Sequence, residues 1–474
     1  MEELQAAVDH PGGAHGGGGP RSWRRIRRQR RALLGSADRQ DARGPRHRPE
    51  PGQLQERRNA RGPGHRPEPG QRQGQRAGRQ QPQQAEQAGA VSGSLDSAVS
   101  LVGGWVDEGV IPGAALLVSR GDEVLVERYW GVADMSRKVP ATANTLWSIA
   151  SITKPVTAAA FMACVDRGLL SLDAPLSGVL PEFARDDDER PWRRDVTPRH
   201  LLTHTSGLAG FSRDNLAMRK RHAPVDDFVA SFMDEDVHFQ PGRWHLYSSV
   251  GLGLIAECVG RSAGGGKGRP MDAYWRFALD LLRDLGANDA VFLPDEDQQL
   301  RIAWVESTGQ EGLDWEIGNS KYFRSLGFPW GGLYVRARDV LTFVSAFLPG
   351  KESEALSAAA RKAMITQNAA PPDAPASVAP TQRDVTWDPT RPPRARVPWG
   401  LGWEVRGGEP SDYMGDQSHT TAFGHYGASG SIAWADPEEG LAVVLLTNRA
   451  WQSWWPVHER RTARLANEIM AALD

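Results

Sequence analysis

The sequence predicts an α+β fold in which an antiparallel sheet, built from both chain ends and flanked by terminal helices, carries an inserted helix-rich region. Three observations predict it. A helical pattern followed by a two-strand pattern opens the patterned part of the chain near residue 94, and a two-strand pattern followed by a helical pattern closes it. Between them, about 151 to 395, the chain shows long helical periodicities, Pro/Gly/Asp-rich loops and few alternating runs. Joining the two ends in one sheet and inserting the middle is the simplest assembly, and a cleft between the two parts is the natural place for a site.

Residues 1–92 stand apart from this pattern. Residues 1–90 hold 18 Arg, no Lys and nine Asp or Glu, a balance of +9 in a chain whose net charge is −2, so the remainder carries about −11. This segment is rich in Arg, Gly, Pro and Gln and almost without β-branched or aromatic residues, so it is expected to be a disordered tail. It repeats itself, ARGPRHRPEPGQ (Ala42 to Gln53) returning as ARGPGHRPEPGQ (Ala60 to Gln71), with no apolar face to stack. The expectation is a dispensable extension or a stretch upstream of a misplaced start. Nucleic acid is a partner only through the phosphate-binding capacity of this arginine-rich segment.

From Ser94 the elements follow in order. SLDSAVSLVGGWVDEG spaces its apolar residues helically, with Ser94 as N-cap and Gly109 as stop. PGAALLVSRGDEVLVERYWGVAD reads as two strands joined at Arg120-Gly121-Asp122. SGSIAWADPEEGLAVVLLTNR repeats that pattern around Asp436 to Gly440, and an amphipathic helix, roughly Val457 to Leu473, ends the chain. Cys164 and Cys258 sit in apolar helical patterns and are expected to be buried thiols rather than a disulfide or metal site. No apolar run approaches the roughly 18 to 20 residues of a spanning helix, and the N-terminus lacks a secretory h-region, so the expected location is the cytoplasm.

The candidate chemistry starts in TLWSIASITKPVTAAA (Thr145 to Ala160), where Ser151 and Lys154 stand three apart. The chain has seven Lys against 49 Arg, and the S-x-x-K spacing occurs once. A strand or turn, LWSIA, leads into a helical pattern from Ser151 to about Gly168, so the two side chains share one face beside N-terminal amides that favour an oxyanion. A lysine can take the hydroxyl proton if burial or a neighbouring cation lowers its pKa, whereas arginine cannot be deprotonated. Alone, the pair also reads as a capping serine beside an exposed lysine.

Two further segments bear on it. PGRWHLYSSVGLGLIAECVG places Tyr247 just before an apolar helix, and FGHYGASGSIAWADP places His425 just before or on the first strand of the C-terminal hairpin. A tyrosine near a lysine serves as base or proton relay, or as boundary packing. The small run Gly427-Ala428-Ser429-Gly430 lets a substrate carbonyl approach an edge strand.

These segments resemble the serine β-lactamase-like family, which includes class C β-lactamases, D-Ala-D-Ala carboxypeptidases, related esterases and D-aminopeptidases. The resemblance covers about 95 to 474 and rests on IPGAALLVSRGDEVL, SIASITKPVTAAA, DAPLSGVLPEF, VTPRHLLTHTSGL, PGRWHLYSS, WGGLYVRARDVLTF, WGLGW and FGHYGASGS in family order. It implies a β-lactamase/transpeptidase-like fold for residues 93–474, with Ser151 as acylated nucleophile, Lys154 as its proton partner and Tyr247 as the Y-x-N tyrosine. His425-Tyr426-Gly427 matches the third motif, and the N–H groups of Ser151 and Ala428 would form the oxyanion hole. His204, in HLLTHTSGL, is expected to shape a helix end and turn, with a direct catalytic role as the alternative.

Two departures guide the function. Ser249 stands where the family usually has asparagine, and His425 replaces a lysine whose fixed charge holds a β-lactam carboxylate. The expectation is therefore a serine hydrolase acting through an acyl-enzyme, foremost a carboxylesterase on small esters. D-amino-acid peptidase or amidase and weak β-lactamase are the alternatives within the fold, and an inactive binding module is the alternative outside catalysis. The expected partner is a small ester or amide, with no metal, cofactor or membrane. The 17 tryptophans, Trp399, Trp403, Trp454 and Trp455 among them, are expected mostly to pack rather than to bind substrate.

Overall fold

Strand β1 (Gly113–Arg120) pairs in one direction with β2 (Glu123–Asp134) and in the other with β10 (Leu441–Thr447), so the two ends of the chain meet at the middle of one sheet. The computed structural model describes residues 95–184, 192–368, 397–408, 411, 413–451 and 457–473. The tail over 1–92, the capping residue Ser94, and Trp454 and Trp455 lie outside the described residues.

The sheet has seven antiparallel strands in the order β3-β2-β1-β10-β9-β8-β7, with β3 at Val139–Pro140, β7 at Glu404–Val405, β8 at Phe423–Gly427 and β9 at Ser431–Asp436. Its central strands read GAALLV and LAVVLL, without polar alternation, because both faces are covered. Ala115, Leu117, Ala433, Ala442, Val444 and Leu446 face the helix-rich region. Leu116, Val118, Ile432, Trp434, Val443 and Leu445 face the terminal helices α1 (Asp96–Asp107) and α7 (Val457–Ala471). Helix α1 buries Ala98, Val102 and Trp105, spaced four and three residues apart, and α7 buries Leu465, Ala466, Ile469 and Met470.

The inserted region is built around α2 (Thr153–Asp166), in which every residue from Thr153 to Cys164 is buried. Helices α3 (Ser249–Ala263), α4 (Pro270–Asp284), α5 (Ala337–Ser345) and α6 (Ala358–Ile365) accompany it in the same core. Such a helix has no solvent face and thus no freedom to rotate, which fixes the direction of the side chains at its N-terminus. Cys164, on α2, and Cys258, on α3, are free and buried, and burial raises the Cys164 thiol to about 11. Arg193 is buried and donates to the carbonyls of Phe183, Glu235 and Met233, so the charge is distributed over peptide oxygens.

Two features differ from the sequence expectation. His425, expected just before or on the first strand of the C-terminal hairpin, does precede that strand, β9, but it lies at the centre of a further strand, β8, that the sequence did not announce and that pairs with β9. The segment FGHYG carries two glycines and no alternation, and it is a strand because β9 supplies a partner of matching register. A second, three-stranded sheet in the order β4-β6-β5 joins Trp147–Ser148, just ahead of the inserted region, to Tyr334–Val335 and Ala290–Val291 within it. Strands of two residues leave no periodic signal.

At the far end of the sheet His419 Nδ1 lies 3.1 Å from Oδ2 of the fully buried Asp436, with Glu438 3.7 Å from its Nε2. The hydrogen bond to Asp436, followed by the nearby carboxylates, raises the His419 pKa above its ordinary value. A raised folded-state pKa means that this pair stabilises the fold fully below about pH 6.5 and loses that contribution as pH rises through the folded value. His419→Gln is expected to remove stability at pH 5.5 but not at pH 8.5, measured as the urea midpoint at the two pH values. An equal shift at both would contradict the pairing.

Candidate active site

Ser151 lies in a single turn of 3₁₀ helix, Ala150–Ile152, that runs directly into α2. Ala150, just before it, has φ of 45°, a left-handed conformation uncommon for a residue with a Cβ. This sharp bend between strand β4 and α2 brings the serine out of the core, so Ser151 is half-buried while its neighbours Ile149 and Ile152 are buried.

Lys154 is 1% exposed, and its Nζ donates to Ser151 Oγ and to the Trp330 carbonyl, both at 2.9 Å. The same nitrogen lies 4.7 Å from the centroid of the Tyr247 ring. The segment that supplies the carbonyl is held against α2 by two threonines. Thr157 Oγ1 donates to Pro329 O at 2.5 Å and accepts from Tyr274 Oη at 2.6 Å, and Thr153 Oγ1 accepts the Leu333 N–H at 3.3 Å. Residues 153, 154 and 157 thus fix one loop with three hydrogen bonds. The sequence motifs missed Trp330 because its contribution is a backbone oxygen, which no side-chain pattern reports.

Tyr247 ends the segment before α3, and its hydroxyl lies 3.4 Å from His425 Nε2. His425 is fully buried, and its Nδ1 is 2.7 Å from the carbonyl oxygen of Tyr426. A carbonyl only accepts, so Nδ1 carries a hydrogen, and when the ring is neutral Nε2 is the acceptor for the Tyr247 hydroxyl. Trp399 is buried with its ring against Tyr247, His425 and His204, at centroid distances of 5.9, 5.8 and 4.9 Å. It packs the site from behind, as does His204.

Gly427 and Ala428 complete the arrangement from the sheet. Strand β7 pairs with β8 at Phe423 and Gly424, and its ladder stops short of His425–Gly427. A Cβ placed on Gly427 would lie 2.3 Å from Ile149 O and 3.3 Å from Ala150 Cβ, so the strand passes against the Ser151 turn at a distance only glycine allows. Ala428, itself exposed, follows in a turn, and its carbonyl accepts the Trp451 N–H at 2.9 Å. Ser249 opens α3, is buried and gives its N–H to Gly210 O at 2.8 Å. Its neighbour Ser248 is the N-cap, accepting the Gly251 N–H at 3.1 Å and donating to Ala209 O at 2.6 Å. The structure therefore links Ser151, Lys154, Tyr247 and His425 by direct contacts and sets Gly427 against the Ser151 turn.

The family model described as Beta-lactamase matches residues 98–465. The chain belongs to the Beta-lactamase family. It is a serine hydrolase of that family. Esterase EstB of Burkholderia gladioli is 29% identical over 377 residues, covering 72% of this chain and 86% of that protein. Penicillin-binding protein 4 of Amycolatopsis lactamdurans is 31% identical over 358 residues, covering 71% of this chain and 81% of that protein. A solved penicillin-binding protein homologue from Caulobacter crescentus shares the fold, with a TM-score of 0.63 and 22% identity over 81% of this chain and 99% of that one.

Within this Beta-lactamase family fold, among the described residues, no group of three or more His, Cys, Asp or Glu is placed to hold a metal, and no helix is long and apolar enough to cross a membrane. The Gly427 approach has a measurable consequence. Gly427→Ala is expected to destabilise the fold by about 1–3 kcal/mol through overpacking and to displace the Ser151 turn. Urea denaturation checks the first effect, and a simultaneous fall in turnover checks the second; an unchanged midpoint would contradict the contact.

Proposed function

We propose that the chain is a carboxylesterase that cleaves small uncharged esters through an acyl-enzyme on Ser151. Ser151 Oγ attacks the ester carbonyl carbon while its proton is taken up by the Lys154 and Tyr247 pair. The bond to the alcohol oxygen breaks as that proton returns to the leaving group. Water then cleaves the acyl-enzyme by the reverse path, and the N–H groups of Ser151 and Ala428 stabilise the oxyanion of both steps.

The observation that carries the ester reading is His425. Its imidazole is fully buried, 3.4 Å from the Tyr247 hydroxyl, and unlike the lysine it replaces it is not a fixed cation, because the ordinary imidazole pKa is about 6.5. A β-lactam or a peptide C-terminus brings a carboxylate that gains little from such a group, whereas an uncharged ester needs no counter-ion. Ser249, without an amide, points the same way. The likeness to a protein named an esterase supports this reading, and the likeness to one named a putative D-alanyl-D-alanine carboxypeptidase supports D-amino-acid peptidase or amidase activity as the second.

A panel of p-nitrophenyl acyl esters, a chromogenic cephalosporin and a D-alanyl amide tests the choice. Esters are expected to show kcat/KM at least about tenfold above both others, a preference of about 1.4 kcal/mol in transition-state binding. Preference for the D-alanyl amide would replace the ester reading with the peptidase one, and turnover of none would return the chain to a binding role.

A further inference from the structure

We infer that His204 is a positioning residue that clamps Tyr247 in its working orientation, an inference that rests on the role given to Tyr247 above. Three contacts of one residue converge on the tyrosine. The His204 carbonyl accepts the Leu246 N–H at 2.7 Å, His204 Nδ1 accepts the Ser248 N–H at 3.1 Å, and the ring between them lies against the Tyr247 ring at a centroid distance of 4.5 Å. The residues on both sides of Tyr247 are thus tied to the residue that backs its phenol.

The arrangement is built for a side chain with an acceptor and a ring. Ser248 is the cap of α3, and its amide has no helical carbonyl to reach, so a buried acceptor must be supplied from elsewhere. His204 supplies it from the turn after the short helix Pro198–Leu202, at a φ of 57°. Glycine would adopt that backbone with less strain but would bring neither Nδ1 nor a ring. Histidine is among the few residue types enriched there. Because Nδ1 accepts, the neutral ring carries its proton on Nε2, and its orientation is fixed by the bond it receives.

The clamp is one of several contacts that hold Tyr247. His204 and Trp399 pack its ring, Lys154 Nζ sits over its face, and His425 Nε2 receives its hydroxyl. A phenol free to swing about χ1 would leave both Lys154 and His425. The contacts of His204 with Tyr247 and with both of its neighbours are the route by which it acts on turnover.

The test is hydrolysis of p-nitrophenyl acetate by the full-length chain. His204→Ala is expected to lower kcat about 10²-fold, the scale of an ångström-sized misplacement, while KM changes by less than about threefold. His204→Asn keeps an oxygen acceptor and tolerates positive φ, and is expected to recover about tenfold of that loss. In a Tyr247→Phe background, where the phenol is gone, His204→Asn is expected to lower kcat by less than about twofold. The clamp is overturned if His204→Asn has no effect in the parent, or lowers kcat by the same factor in both backgrounds. Should His204→Ala fail to fold, the asparagine variant and the cycle with Tyr247→Phe decide the matter. An unchanged kcat in Tyr247→Phe alone would overturn the role of Tyr247 and the clamp with it. A loss there combined with multiplicative factors would overturn the clamp alone.

Discussion

Replacing Ser151 by alanine is expected to lower kcat/KM for a p-nitrophenyl ester at least about 10⁴-fold, the scale seen when a serine nucleophile is removed. The reason is geometric. Ser151 is the hydroxyl next to Lys154 Nζ, at 2.9 Å, on a turn that holds it at the edge of the core. Its side chain is small and half-buried, and Lys154 keeps its second partner, Trp330 O, when the hydroxyl is lost. The unfolding temperature should therefore move by no more than about 2 °C, as for other substitutions away from packed features. Ester hydrolysis surviving in a folded Ser151→Ala protein would mean that another nucleophile does the work.

The second large effect is expected at Lys154. Lys154→Met preserves an unbranched chain in a site 1% exposed but removes the amine, and kcat should fall by about 10²–10⁴-fold, the range of a lost proton-transfer group. The Trp330 carbonyl is left without its partner, which costs about 1–3 kcal/mol in stability, read from urea denaturation. Lys154→Arg should not restore turnover. Its guanidinium stays protonated, and its planar fork does not fit a position defined by Ser151 Oγ, Trp330 O and the face of Tyr247. Recovery of more than about a tenth of parental activity by arginine would show that the position needs only charge, contrary to the role given to it.

The parts of the fold that were legible in the sequence are those whose local pattern and final environment agree. The hairpin at Gly121-Asp122 and the one around Asp436 to Gly440 have turns that glycine and aspartate specify locally, and both stand where the pattern puts them. Helix α1 shows its apolar stripe because one side faces solvent. Helix α2 shows none, because residues 153 to 164 are buried on all sides, and only composition and length mark it as a helix.

Strand β8 and the small sheet of β4, β5 and β6 were not legible. Each depends on partners far away in the chain, and β8 in particular is defined by its pairing with β9 rather than by FGHYG itself. The candidate site divides along the same line. Side chains such as Ser151, Lys154, Tyr247 and His425 announce themselves by type, spacing and resemblance to the family. The Trp330 carbonyl and the hold of His204 on both neighbours of Tyr247 are made of backbone groups brought together by folding. His204 does lie in the turn that follows a short helix, as expected, but its position in that turn is what brings its ring and carbonyl to residues 246 to 248.

The most direct test of the central claim is to label the protein with a p-nitrophenyl alkylphosphonate, which phosphonylates an activated serine with release of p-nitrophenol, and to locate the adduct by peptide mass spectrometry. One equivalent bound to Ser151, formed in step with loss of ester hydrolysis and absent from Ser151→Ala, is the predicted result. Loss of activity with the adduct on any other residue, or no adduct on Ser151 in a protein that turns over esters, would contradict the account.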